Sequence, residues 1–196
     1  MSQYFEENNN LKKNKKLITV KFKDKYYKVY TESGVFSKDK LDYGTKLLLE
    51  KFTEKEIEGK VLDLGCGYGI IGIIIASTFP NSSVDMCDIT DRAIYLSREN
   101  SKNLNTNNTN IFKSNIYENI NRKYNYIITN PPIRAGKDTL RKFLFKAKDY
   151  LDSDGELWFV MRKDHGVKSM IKELEKIYKV EIKEKSKGFY IIICRF

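Results

Sequence analysis

The sequence predicts an α/β chain with a mostly parallel, seven-stranded sheet ending in an antiparallel C-terminal hairpin, preceded by a small N-terminal β-hairpin. Three observations carry this. From residue 60 onward, apolar strand-like runs alternate with amphipathic helical segments, the pattern of βαβ units whose parallel strands are covered on both faces. A glycine-rich turn joins the first of those strands to a helix. The last two apolar runs are separated only by 184–187, too short for a crossover helix, so they must pair as a hairpin.

Taken in order, residues 1–16 hold Asn8, Asn9, Asn10 and several lysines without an apolar period, and read as a flexible segment. Runs 17–22 and 26–30 are rich in β-branched and aromatic residues and flank Lys23, Asp24 and Lys25, which predicts the small hairpin. Leu41, Leu47, Leu48 and Phe52 then recur at helical spacing, with Ser37 or Asp39 as the candidate cap. Hairpin and lead-in helix fill 17–55, and the main domain fills 56–196. Its strands are expected at 60–64, 83–88, 108–113, 124–129, 155–162, 179–183 and 188–195, with a helix over 70–78. About five parallel strands are expected to precede the antiparallel tail. Neither an internal repeat nor a second domain is evident.

A single domain of 196 residues hides roughly 70% of the surface its unfolded chain exposes, enough for a core without staples. Cys66, Cys87 and Cys194 are odd in number and lack metal or disulfide spacing, so they read as reduced thiols, and no metal is expected. The opening stretch is polar and the longest apolar run, 70–76, is far below a membrane span. A cytoplasmic monomer without membrane contact is the expectation. The net charge of +10 suits a polyanionic partner through counterion release. The chain is also rich in Asn, Ile and Lys throughout, so a compositional habit is the competing reading of that charge.

Val61-Leu62-Asp63-Leu64-Gly65-Cys66-Gly67-Tyr68-Gly69 is a strand running into a turn where a cofactor can approach the backbone closely. Gly67, Gly69 and Gly72 also satisfy G-x-G-x-x-G, and Asp88 ends the next strand where a ribose-binding acid belongs, so a dinucleotide has to be weighed. Asp63 decides against it. Two positions before Gly65, its carboxylate would repel a pyrophosphate but suits the methionine ammonium of S-adenosyl-L-methionine. Asp88, followed by Ile89, is read as taking both ribose hydroxyls; capping the helix that begins near Asp91 is the second reading. Asn115 and Ile116 close the third strand, where an amide can recognise the adenine edge and an apolar side chain can pack on its ring.

Asn130-Pro131-Pro132-Ile133 follows the fourth strand and carries the chemistry. An exocyclic base amine is a poor nucleophile because its lone pair is delocalised into the ring. Two fixed acceptors, the Asn130 side-chain oxygen and the Pro131 carbonyl, can hold both amine hydrogens and turn the lone pair toward a methyl donor. Pro132 restricts Pro131 to an extended conformation, which fixes that carbonyl. The gain comes from alignment and from stabilising the charge that develops, so no catalytic His or Cys is needed. His165, the one histidine, follows the Trp158 strand and reads as a surface residue.

Together these residues resemble class I S-adenosylmethionine-dependent methyltransferases with the N/D-P-P-aromatic motif of amino-nitrogen methylation. Gly34-Val35-Phe36-Ser37, Leu41-Asp42-x-Gly44-Thr45 and the stretch from Asn130 to Lys137 resemble the small-subunit ribosomal RNA guanine-N2 methyltransferase family in its short single-domain form. The resemblance covers 17–196. It implies a Rossmann-like domain, S-adenosyl-L-methionine as cofactor with S-adenosyl-L-homocysteine as product, and guanine N2 of 16S rRNA, naked or in the small subunit, as target. It also puts Phe36, Ser37 and Thr45 near the methionine end of the cofactor. Ile133 departs from the pattern, standing where an aromatic residue usually stacks on the flipped base, a contact worth roughly 1–3 kcal/mol. Another aromatic such as Phe36 supplies the platform, or the substrate differs. Pro132, Ile133, Arg134 and Lys137 are the substrate-side candidates, the two cations reading equally as solvated helix-start residues. Adenine-N6 and protein glutamine-N5 transfer are the alternative reactions for the same motif. A non-catalytic binding protein is disfavoured because Asn130 is present, and an NAD-dependent oxidoreductase because hydride transfer needs no Asn-Pro-Pro.

Overall fold

The computed structural model describes residues 15–32 and 41–196. Strands β1 (Lys16–Phe22) and β2 (Lys25–Thr31) form the antiparallel hairpin, joined by a two-residue turn rather than the expected three. Helix α1 (Tyr43–Phe52) follows. Its N-cap is Asp42, whose Oδ1 accepts from Thr45 N at 3.0 Å, so the cap is neither Ser37 nor Asp39. Then come β3 (Gly59–Leu64), α2 (Ile70–Thr78), β4 (Ser82–Asp88), α3 (Asp91–Asn103), β5 (Thr109–Lys113), β6 (Tyr124–Thr129), α4 (Lys137–Phe145), β7 (Leu151–Arg162), α5 (Val167–Leu174), β8 (Lys179–Ser186) and β9 (Phe189–Arg195).

The main sheet runs β5-β4-β3-β6-β7-β9-β8, with β3 to β7 parallel and β9 antiparallel to both neighbours. Strand β7 begins at Leu151 rather than at 155, because its first residues pair with Tyr124 across an irregular register. The C-terminal turn is tighter than the expected 184–187 break. Lys187 and Gly188 alone make it, both at positive φ (49° and 79°), as the twist of a two-residue hairpin demands.

Alternation explains the two cores. Val61, Ile128, Trp158, Val160, Ile191 and Ile193 face α1, α2 and the N-terminal hairpin. Leu62, Ile127, Leu157, Phe159, Ile192 and Cys194 face α4 and α5 on the other side. Both faces are buried, which is why these strands read as continuous apolar runs. Helix α2 carries five isoleucines, weak helix formers, and is held by burial of nearly its whole circumference. Gly72 lets it approach β4: a Cβ there would lie 2.6 Å from Met86 Cγ. Among the described residues, no helix is long and apolar enough to cross a membrane.

Candidate active site

The strand order reverses between β3 and β6, and open α/β sheets bind ligands outside the carboxyl ends of such strands. A cleft of about 610 Å3 lies there. Thr129 Oγ1 donates to Leu64 O at 2.7 Å and ties the two strand ends together.

The loop after β3 forms one wall. Gly65 N and Cys66 N both donate to Cys87 O at 2.9 Å, folding the chain back over β4. Gly69 opens α2 at φ 89°, a conformation that a side chain would strain. Asp88 Oδ2 accepts from Gly67 N at 3.0 Å, and Oδ1 accepts from Thr90 N at 3.0 Å and from Thr90 Oγ1 at 3.2 Å. Thr90 is the cap of α3, bonding Ala93 N, so Asp88 supports the cap residue and is not itself the cap. Burial pushes the Asp88 carboxyl up, against the hydrogen bonds it accepts.

Asp63 sits beneath this loop, fully buried. Its Oδ2 accepts from Gly72 N at 2.8 Å, while Oδ1 is buried without a partner. Burial pushes the carboxyl up to about 7, the Gly72 bond opposing and Asp88 adding to the rise. An orphaned carboxylate oxygen in an apolar setting is a place where a cationic group is stabilising.

At the end of β6, Asn130 Nδ2 donates to Thr45 Oγ1 at 2.8 Å. Helix α1 thereby commits the amide nitrogen and leaves the Asn130 oxygen as the group able to accept from a ligand. Pro131 is buried, Pro132 and Ile133 are partly buried, and Arg134 is exposed at the rim.

The cleft brings together Thr45, Gly65, Cys66, Gly67, Asp88, Ile89, Asn115, Ile116, Asn130, Pro131, Pro132, Ile133 and Arg134. Asp63 and Gly69 lie behind its surface rather than lining it, and Lys137 points to Glu173 at 3.9 Å. Phe36 and Ser37 fall outside the described residues. Asn115 is exposed and its amide donates to Glu118 Oε1 at 2.7 Å, while Ile116 takes φ 57°, a costly conformation for a β-branched residue and one that clusters at ligand sites. His165 is exposed at the surface, as expected. It lines the cleft with Arg162 and Phe189, none of which sequence reasoning placed there. No local signal marks them: Arg162 and His165 arrive because β7 ends in parallel beside β6, and Phe189 because β9 pairs antiparallel with β7. Among the described residues, no cluster of three or more metal-ligating side chains occurs.

The model of the methyltransferase small domain family matches residues 26–193. The chain belongs to the methyltransferase small domain family. Within that family's sequence neighbourhood, the chain is 39% identical over 192 residues to the uncharacterized protein YbxB of Bacillus subtilis (strain 168), covering 96% of each. It is 33% identical over 165 residues to the ribosomal RNA small subunit methyltransferase C of Psychromonas ingrahamii, covering 82% of this chain and 46% of that one. The chain thus spans about half the length of these methyltransferase C relatives. In fold it is similar to the T. Thermophilus 16S rRNA N2 G1207 methyltransferase, solved with AdoMet and guanosine, at a TM-score of 0.79 and 20% identity over 92% of this chain and 50% of that one. The cofactor of the methyltransferase small domain family is S-adenosylmethionine. The residues present fit it: an orphaned buried Asp63 oxygen for a cation, an Asp88 carboxylate with acceptor capacity left, and a cleft within the roughly 300–1,000 Å3 of small-molecule sites.

Proposed function

We propose that this chain methylates the exocyclic N2 amine of a guanine in 16S rRNA, using S-adenosylmethionine. The observation that carries the reading is Asn130, at the carboxyl end of β6, its amide nitrogen held by Thr45 and its backbone followed by Pro131 and Pro132. The similarity to small subunit methyltransferase C proteins and the net charge of +10 support an RNA substrate.

The cofactor supplies an electrophilic methyl group on its sulfonium. The protein's own residues do the rest. Asp88 takes the ribose hydroxyls, and the free Asp63 oxygen balances the methionine ammonium, directly or through a water. Gly65, Cys66 and Gly67 present backbone at close approach, with Ile89, Asn115 and Ile116 on the adenine side. Asn130 Oδ1 and the Pro131 carbonyl accept the two amine hydrogens, which aims the nitrogen lone pair and stabilises the positive charge that develops on the nitrogen as the N–CH3 bond forms and the S–CH3 bond breaks, with S-adenosyl-L-homocysteine as the leaving group. The nitrogen then sheds a proton to solvent. Arg134 at the rim is better placed for RNA phosphate than Lys137, whose ammonium faces Glu173.

The test is incubation of the full chain with methyl-labelled S-adenosylmethionine and separate pools of rRNA, small subunits, DNA and protein, followed by digestion and mass analysis. Label in N2-methylguanosine from rRNA or small subunits is the expected result. Label in N6-methyladenine or glutamine would overturn the substrate, and cofactor binding without label would overturn transfer.

A further inference from the structure

We propose that the target base is held against Phe189 and Arg162, which together form the stacking platform that Ile133 cannot supply. The inference rests on the base-methylation reading above and names the residues that grip the substrate.

Topology divides the cleft. The ends of β3, β4 and β5 carry the glycine-rich loop, Asp88 and Ile116, the half assigned to the cofactor. Asn130 stands at the reversal of strand order. Beyond it, the ends of β6 and β7 and the start of β9 contribute Pro132, Ile133, Arg162, His165 and Phe189. Phe189 and Arg162 are register partners across β7 and β9. A group transferred from the first half to the second must pass Asn130, so the second half is where the acceptor lies.

The platform is built. The Phe189 ring lies against the first turn of α1, where Gly44 makes room: a Cβ at 44 would come 2.8 Å from Phe189 Cε1. Tyr43 flanks it with ring centroids 5.7 Å apart. The Arg162 guanidinium lies 5.5 Å from the ring centre. Asp164 grips that guanidinium through Nε at 3.1 Å and Nη2 at 2.9 Å, a bidentate hold that fixes its plane. The ring nevertheless stays partly exposed, and the Arg162 side chain is 51% exposed. Two planar groups, each fixed by neighbours and both facing a cleft, are the surfaces on which unpaired bases stack. Pro132 and Ile133 supply the apolar wall of the same half, so a base inserted there has its amino edge toward Asn130. A glutamine side chain has no ring to use this platform.

The test measures steady-state methylation of the RNA substrate by the wild-type chain and by Phe189→Leu, Phe189→Tyr and Arg162→Gln, with cofactor affinity measured separately. Phe189→Leu is expected to lower kcat/KM for RNA by about 10-fold or more, as loss of one base stack does, with cofactor affinity unchanged. Phe189→Tyr keeps the ring and should restore most of the activity. Should Phe189→Leu fail to fold, the half-exposed Arg162→Gln carries the test, with an expected loss of about fivefold. Unchanged kcat/KM in the folded variants, while the wild type labels guanine, overturns the platform and leaves the function standing. Wild-type labelling of glutamine in place of RNA overturns both.

Discussion

Asp63 offers the sharpest quantitative prediction. Its folded-state carboxyl titrates near 7, against 3.8 for the unperturbed group. The folded protein therefore binds this proton more tightly than the unfolded chain does. The stability so gained is fully present below 3.8, declines as pH rises and is gone above about 7. Between about pH 5 and about pH 8 the loss from this one group comes to roughly 2–3 kcal/mol, at about 1.4 kcal/mol per unit. Asp63→Asn keeps an acceptor for Gly72 N and has nothing to titrate, so its stability should fall less across that window. Asp88 titrates in both proteins and largely cancels in the comparison. Urea denaturation of wild type and variant at the two pH values, without cofactor, gives the difference directly. Equal pH dependence in the two proteins would refute the burial argument. On the burial argument alone the variant gains stability at alkaline pH, and if Asp63 also balances the methionine ammonium it loses cofactor affinity as well. Calorimetric titration with S-adenosylmethionine shows whether both changes occur together.

Three further outcomes are expected. Asn130→Ala should cut methyl transfer by on the order of 10²-fold while leaving cofactor affinity nearly unchanged, because the lost acceptor matters mainly in the transition state; a matching loss of cofactor affinity would contradict its role. Asp88→Ala should weaken cofactor binding first, measurable by calorimetry, and unchanged affinity would leave Asp88 only its bonds to Gly67 and Thr90. Asn100 is fully buried and bonds Tyr30 N, Tyr30 O and Tyr68 O at 2.6–2.9 Å, joining the N-terminal hairpin to the cofactor loop. Its replacement by Ala should cost about 2–4 kcal/mol, since one buried and two part-buried backbone groups lose this partner, and a midpoint shift in thermal denaturation reads it.

The sequence by itself determined the layered architecture. Apolar runs such as 126–128, 157–161 and 190–194 are continuous because both faces of the sheet are covered, and the glycines after β3 and the prolines after β6 impose local conformations that need no distant partner. The site residues contributed by those turns were legible for the same reason. What the sequence left open depends on contacts between distant segments. Asp42 caps α1 because its extended backbone lets Oδ1 reach Thr45 N, a choice among several polar residues that spacing does not make. Whether Asp63 is charged was decided by its burial beneath α2, and which atom of Asn130 is free was decided by Thr45, 85 residues away. Arg162 and His165 enter the cleft because β7 ends in parallel beside β6, and Phe189 because β9 inserts antiparallel beside β7. Local conformation is encoded in neighbouring residues, whereas burial, charge state and the meeting of separate strand ends exist only once the sheet has formed.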